Sequence, residues 1–156
     1  MGAGNWIVFD MAKAKFFNGG LDLDSDSLKM ALFRSAAVLS ASSGSIWTTI
    51  AANEISTTGG YSTHGKALAG CSVVQGASVG VRKFTHTSRV FTANAGNLTN
   101  IKYAVIVDET KGTSAGDRPL VAFALLSTSP FTVTSGNTLT VAANASGVFD
   151  VSGAMS

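Results

Sequence analysis

The chain has 156 residues, 46% of them hydrophobic and only 13% charged, with a formal net charge of +2. A soluble globular chain carries roughly 25% charged residues. The composition therefore excludes disorder driven by charge, and the length fits one domain, 1–156. The basic residues are scattered, apart from Arg82-Lys83 with Arg89 nearby; no basic stripe for nucleic acid is present, and so weakly charged a surface favours association.

Taken in chain order, the pattern opens with a helix. Asn5 is an N-cap candidate, and Trp6, Phe9, Phe16 and Phe17 fall on one face at a 3.6-residue period. Asn18-Gly19-Gly20 ends it, because glycine accepts the left-handed conformation past a helix C-terminus. An amphipathic helix over 5–18 is the expectation. Leu28, Met30 and Leu32 then alternate with Lys29, Ala31 and Phe33, which predicts a half-buried strand. Residues 34–46 read as a Ser/Ala-rich loop. Residues 46–55, with Trp47, Ile50 and Ile55, fit either a short helix or a strand, and 57–60 is a turn. Strands are predicted at 72–81, 87–93, 102–108, 119–126, 130–134, 137–143 and 147–151. Val105–Val107 and Leu120–Leu126 are the most apolar and belong at the centre. Lys111–Pro119 is a polar loop between them. Short, evenly spaced strands predict a mainly β fold: an antiparallel β-sandwich or jelly-roll-like barrel over 28–151, with one short N-terminal helix.

The apolar runs are far shorter than the roughly 20 residues that cross a bilayer. No signal-peptide pattern opens the chain, so synthesis in a cytoplasm is expected, and the sequons at Asn97 and Asn144 then carry no glycan. Cys71 stands alone, cannot form an intrachain disulfide, and reads as a small buried hydrophobe.

Motifs that could carry chemistry fall short of their requirements. Asp22-Leu23-Asp24-Ser25-Asp26 resembles the start of a calcium loop, but its sixth and twelfth positions hold Ser27 and Phe33 where Gly and Glu are needed. Its plainer reading is a turn in which side chains bond free backbone N–H groups. Gly60 to Ala67 matches the spacing of a phosphate loop, but Ala67 stands where Ser or Thr is required. His64 and His86 have no ligand-spaced partners. A small hydrolase would need one of them beside a Ser or Asp in a cleft. No catalytic, metal-binding or cofactor-binding residue is expected.

The order of segments carries a resemblance. Gly20-Leu21-Asp22-Leu23-Asp24-Ser25-Asp26 leads into Leu28-Lys29-Met30-Ala31-Leu32. Ala52-Asn53-Glu54-Ile55, Gly60-Tyr61 and Gly65-Lys66-Ala67-Leu68 follow, then Lys102–Val107, Pro119-Leu120-Val121-Ala122 and Gly147-Val148. This resembles a family of small, β-rich virion structural proteins of tailed bacteriophages. The chain departs from the family in its Ser/Ala-rich stretch 35–45 and its low charge. The resemblance implies a capsid decoration or cement protein made in the host bacterial cytoplasm and placed on the capsid exterior. Its partners would be the major capsid protein and further copies of itself, with no nucleic acid or membrane. A tail or fibre component binding a receptor or glycan is the alternative, with Trp6, Trp47 and Tyr61 stacking on sugars. Candidate contact residues are the aromatics Trp6, Phe9, Phe16, Trp47 and Tyr61 and the basic Arg82, Lys83 and Arg89. Each taken singly reads more simply as a core filler or a solvated strand face.

Overall fold

Strand β7 (Leu98–Asp108) is the spine of the fold in the computed structural model, which describes residues 5–44, 46–112 and 114–151. β2 (Leu28–Arg34) runs antiparallel along one edge of it, with Leu28 opposite Asp108 and Leu32 opposite Ala104. β8 (Leu120–Leu125) and then β9 (Phe131–Val133) share the other edge. β1 (Trp6–Val8) pairs outside β8 and β3 (Lys66–Ala67) outside β2, giving the order β1-β8-β7-β2-β3. Two smaller antiparallel sheets accompany this one. The first is β4 (Ser72–Gln75), β5 (Arg82–Thr85) and β11 (Phe149–Val151), with β5 in the middle; the second is β6 (Arg89–Thr92) with β10 (Thr138–Val141).

The central strands are buried on both faces. Met30 to Phe33, Ala104 to Asp108 and Leu120 to Ala124 are all buried. A doubly covered strand reads as a continuous apolar run, so β2 is a fully buried strand and not the half-buried one its alternation predicts. Side chains alternate between faces. On the face of Ala31, Val105 and Phe123, the Phe9 ring lies 5.0 Å from Phe123, and Trp47 stands edge-on to Phe33 at 5.5 Å. Trp6, opposite Ala124, meets His86 edge-on at 6.1 Å on the other face. Among the described residues no sheet closes on itself, so the architecture is sandwich-like and the barrel form is not adopted.

Beyond the short β3, the outer edge of β2 is sealed piece by piece. Leu28 O accepts from Leu68 N at 2.8 Å, Leu32 O from Ile55 N at 3.0 Å, and Leu32 N donates to Tyr61 Oη at 2.9 Å. Buried backbone groups need such partners, and this need places the 54–68 segment.

The N-terminal helix and the strand at 72–81 are corrected. The helix α1 spans only Asp10–Phe17, since Trp6, Ile7 and Val8 form β1. The β-branched Ile7 and Val8 suit a strand, and the ladder to β8 satisfies backbone groups that an isolated turn of helix could not. The cap position is Phe9, without a side-chain cap bond, and Asn5 plays no such part. The helix is not amphipathic in the expected sense either, because Phe17 is 87% exposed. The strand expected at 72–81 stops at Gln75, and the unpredicted β5 follows a turn. Residues 46–55, open between a short helix and a strand, take the helical alternative as two short 3-10 helices, Trp47–Thr49 and Ala51–Asn53, flanked by isolated bridges at Ile46 and Glu54.

Gly65 has φ +71°, and a Cβ there would stand 1.8 Å from the Met30 carbonyl oxygen. Gly19, at φ +74°, has open space around it. Gly65→Ala is expected to cost about 3 kcal/mol or more, through backbone strain and displacement of β3. Gly19→Ala should cost only about 1–2 kcal/mol from its left-handed conformation. Urea unfolding of the two variants measures the difference.

Candidate functional site

Two places bring chemistry-bearing side chains together. The first lies at the end of β7 and gathers four distant segments. Glu109, one residue past β7, takes Arg118 Nη2 at 3.0 Å and Lys29 Nζ at 3.3 Å on Oε2; its Oε1 lies 3.5 Å from His64 Nδ1. Arg118 Nη1 donates to His64 Nδ1. An arginine is always a donor, so His64 is held as the neutral tautomer with its proton on Nε2. The His64 ring stands edge-on to Trp47 at 4.5 Å. Beneath it, Glu54 Oε1 accepts from the Tyr61 hydroxyl at 2.7 Å and from His64 N at 2.7 Å. Burial raises the Glu54 carboxyl and keeps the Tyr61 phenol protonated. Lys29 and Arg118 are engaged with Glu109 Oε2, while Glu109 Oε1 has no hydrogen-bond donor among the described residues; the arrangement binds the 60–65 loop and the 109–118 segment to β2.

A second buried acid lies close by. Asp108 is fully buried; its Oδ1 accepts from Thr110 N at 2.7 Å and Lys111 N at 3.0 Å. Its Oδ2 faces Asp26 and has no donor. The acidic run of the sequence folds as the expected turn. Asp22 Oδ1 accepts from the Asp24 and Ser25 amides, Asp26 Oδ2 from Asp22 N, and Asp26 Oδ1 faces Lys111 Nζ at 3.4 Å. The phosphate-loop look-alike runs from Gly65 directly into β3. Lys66 Nζ donates to Val90 O at 3.1 Å and lies over the Phe91 ring. Among the described residues no group of three or more His, Cys, Asp or Glu is arranged to hold a metal ion. No helix there is long and apolar enough to cross a membrane.

The second place has an apolar floor with charged groups, Asp22, Asp24, Arg82 and Lys111, around it. A hollow of about 360 Å³ opens over one face of the β4-β5-β11 sheet, where Val73, Phe84 and Phe149 lie side by side. Phe16 closes it on one side by stacking on Phe149 at 5.4 Å, and Leu21 to Asp24 close it on another. Arg82 lies on its rim. Phe17 and Val151, the latter 48% exposed, line an adjoining groove on the far side of the Phe16–Phe149 stack.

The candidate contact residues therefore separate. Phe16 and Arg82 meet at this hollow. Lys83 lies on the opposite face of β5 and reaches Ala145 O at 3.3 Å; Arg89 is on β6 in another sheet. Trp6, Phe9, Trp47 and Tyr61 are buried in the chain's own core, which leaves them little surface for a partner. Cys71 is only half-buried, and burial pushes its thiol up. The sequence reading missed Glu109 and Arg118, and set Phe17 on the aromatic helix face without naming it singly as a contact residue. Glu109 and Arg118 have no local signal, since their partners come from elsewhere in the chain. No protein-family model, curated protein or solved structure matches this chain.

Two titrating groups, the partly buried His64 and the buried Asp108, act on stability with opposite sign. Burial, then Arg118, holds His64 below its ordinary 6.5. The unfolded chain takes up that proton first, so the stability His64 lends above pH 6.5 is lost as pH falls below it. Asp108 is pushed up to about 6, chiefly by burial. The folded chain keeps a proton that the unfolded chain releases, so this contribution is present below pH 3.8 and is lost as pH rises through about 6. Asp108→Asn keeps the Oδ1 acceptor and is expected to be more stable than wild type at pH 8, with the gap closing toward pH 4 in urea unfolding. Tyr61→Phe leaves the Leu32 amide and Glu54 without their shared partner and should cost about 1–3 kcal/mol.

Proposed function

We propose that this chain is a non-enzymatic structural protein of a tailed-bacteriophage virion, one that decorates the capsid exterior and cements the lattice of the major capsid protein. The observation that carries the reading is the mainly apolar groove that holds the exposed Phe17 and Val151, beside the hollow floored by Phe84 and Phe149. Exposed apolar surface of this kind marks a contact site on a protein otherwise content with water. The order of segments that resembles phage virion proteins supports the same reading. So does the engagement of the ionisable cluster around Glu109 with its own members.

Cementing needs no bond to be made or broken. A protein that binds only the intact lattice stabilises it by RT ln(1 + [L]/Kd) at each site, and repetition over the shell adds these contributions. Packaged DNA supplies the outward load that the contacts resist.

Purified protein added to expanded empty capsids should bind saturably and raise the temperature at which they rupture. Phe17→Asp and Val151→Asp should each weaken uptake about tenfold or more while leaving the fold intact by circular dichroism. Absence of uptake by intact expanded capsids would reject the proposal. Retention of the free protein on a glycan or cell surface, without lattice binding, would move the assignment to a tail or fibre module.

A further inference from the structure

The outermost strand of the small three-stranded sheet is unusual in being open on both faces and free of charge. Among the described residues β4 pairs only with β5, and Val73 and Val74 are both exposed. No charged residue occurs from Ala67 to Val81. In the ladder with β5, the Gly76 amide donates inward to Val81 O at 2.8 Å. Antiparallel ladders alternate inward and outward pairs, so Ser72 and Val74 bond inward while Val73 and Gln75 turn their backbone groups outward. The Val73 amide confirms this direction: it donates to Asp24 Oδ1 at 2.6 Å, from outside the sheet. Among the described residues no strand lies beside the Val73 carbonyl or either Gln75 group. An open edge of this kind is a template for another strand, and natural proteins guard such edges with charge. Asp24 is that guard.

We infer that β4 is a self-association edge, and that a second copy of this chain pairs its own β4 against it, antiparallel about a two-fold axis through Val74. The register follows from which groups face outward. Val73 of each copy stands opposite Gln75 of the other, and the pair exchanges four backbone hydrogen bonds. The incoming Gln75 carbonyl takes the Val73 amide from Asp24. The freed carboxylate has a cation to meet. Arg82 lies directly across from Gln75 in β5 and shares its face, and no ion pair to Arg82 is formed among the described residues. The two-fold axis carries the Asp24 end of one strand to the Arg82 end of the other. The outer edge of β11, unpaired among the described residues, lacks this self-match, because pairing centred on Asp150 would set like charges opposite one another.

The inference does not depend on the capsid reading, and its test contains no capsid. Light scattering of the purified chain at rising concentration is expected to give twice 15.9 kDa. Gln75→Pro removes only an outward donor, so it should return the mass to 15.9 kDa without lowering the melting temperature by more than a few degrees. Arg82→Glu should raise the dimer dissociation constant at least tenfold, and adding Asp24→Lys to it should restore association. A wild-type chain that stays monomeric up to millimolar concentration overturns the inference. So does a dimer that survives Gln75→Pro, or one indifferent to both charge changes.

Discussion

The backbone of β7 between Ala104 and Asp108 lies out of reach of water, and the rest of the fold follows from that fact. Each of its amides and carbonyls needs a partner, and those partners are β2 on one side and β8 on the other. The neighbours are then buried in turn and pass the requirement outward. β8 is completed by β1, and β2 by β3, Ile55, Leu68 and the Tyr61 hydroxyl. Tyr61 is thereby explained as a backbone partner before it is an aromatic filler. Its second bond, to Glu54, is what makes a buried carboxylate tolerable at that point.

The polar cluster at the end of β7 is the same logic applied to loops. Lys29, His64, Glu109 and Arg118 come from segments that would otherwise leave the sheet separately. Partly buried, they are screened less than surface pairs, and they hold those segments in one arrangement. The apolar groups have a different distribution. The large sheet is covered on both faces, whereas the β4-β5-β11 sheet leaves one face partly open at the hollow and leaves its β4 edge covered only by the Asp24 carboxylate at Val73 among the described residues. The contact surfaces of the molecule are therefore concentrated at the small sheet, which is also the part least needed to satisfy the spine.

How far the residues foretold this differs from element to element. Val105–Val107 and Leu120–Leu126 stand out as central because unbroken apolar runs mean burial on both faces, and they are central. Asn18 and Gly19 end the helix where expected, and the Asp22–Asp26 turn makes the bonds its composition implies. Trp6–Val8 was illegible as a strand because its partner is Ala122–Ala124, far along the chain, while its aromatic spacing with Phe9 and Phe16 mimics a helix. β5 was hidden because only Phe84 of Arg82-Lys83-Phe84-Thr85 is fully buried, so no period shows. The cluster around Glu109 has no short-range pattern at all, since its members meet only once the sheet exists.

The pairing of Trp6 with Ala124 also bears on how the chain is made. At synthesis rates of roughly 5–20 residues per second, the first strand emerges on the order of ten seconds before the strand it must join. Throughout that interval Trp6, Ile7 and Val8 wait uncovered on the ribosome. Until Ala122–Ala124 arrive, β1 lacks the ladder that satisfies its backbone in the finished chain, and chaperone occupancy of this segment during translation should last until then.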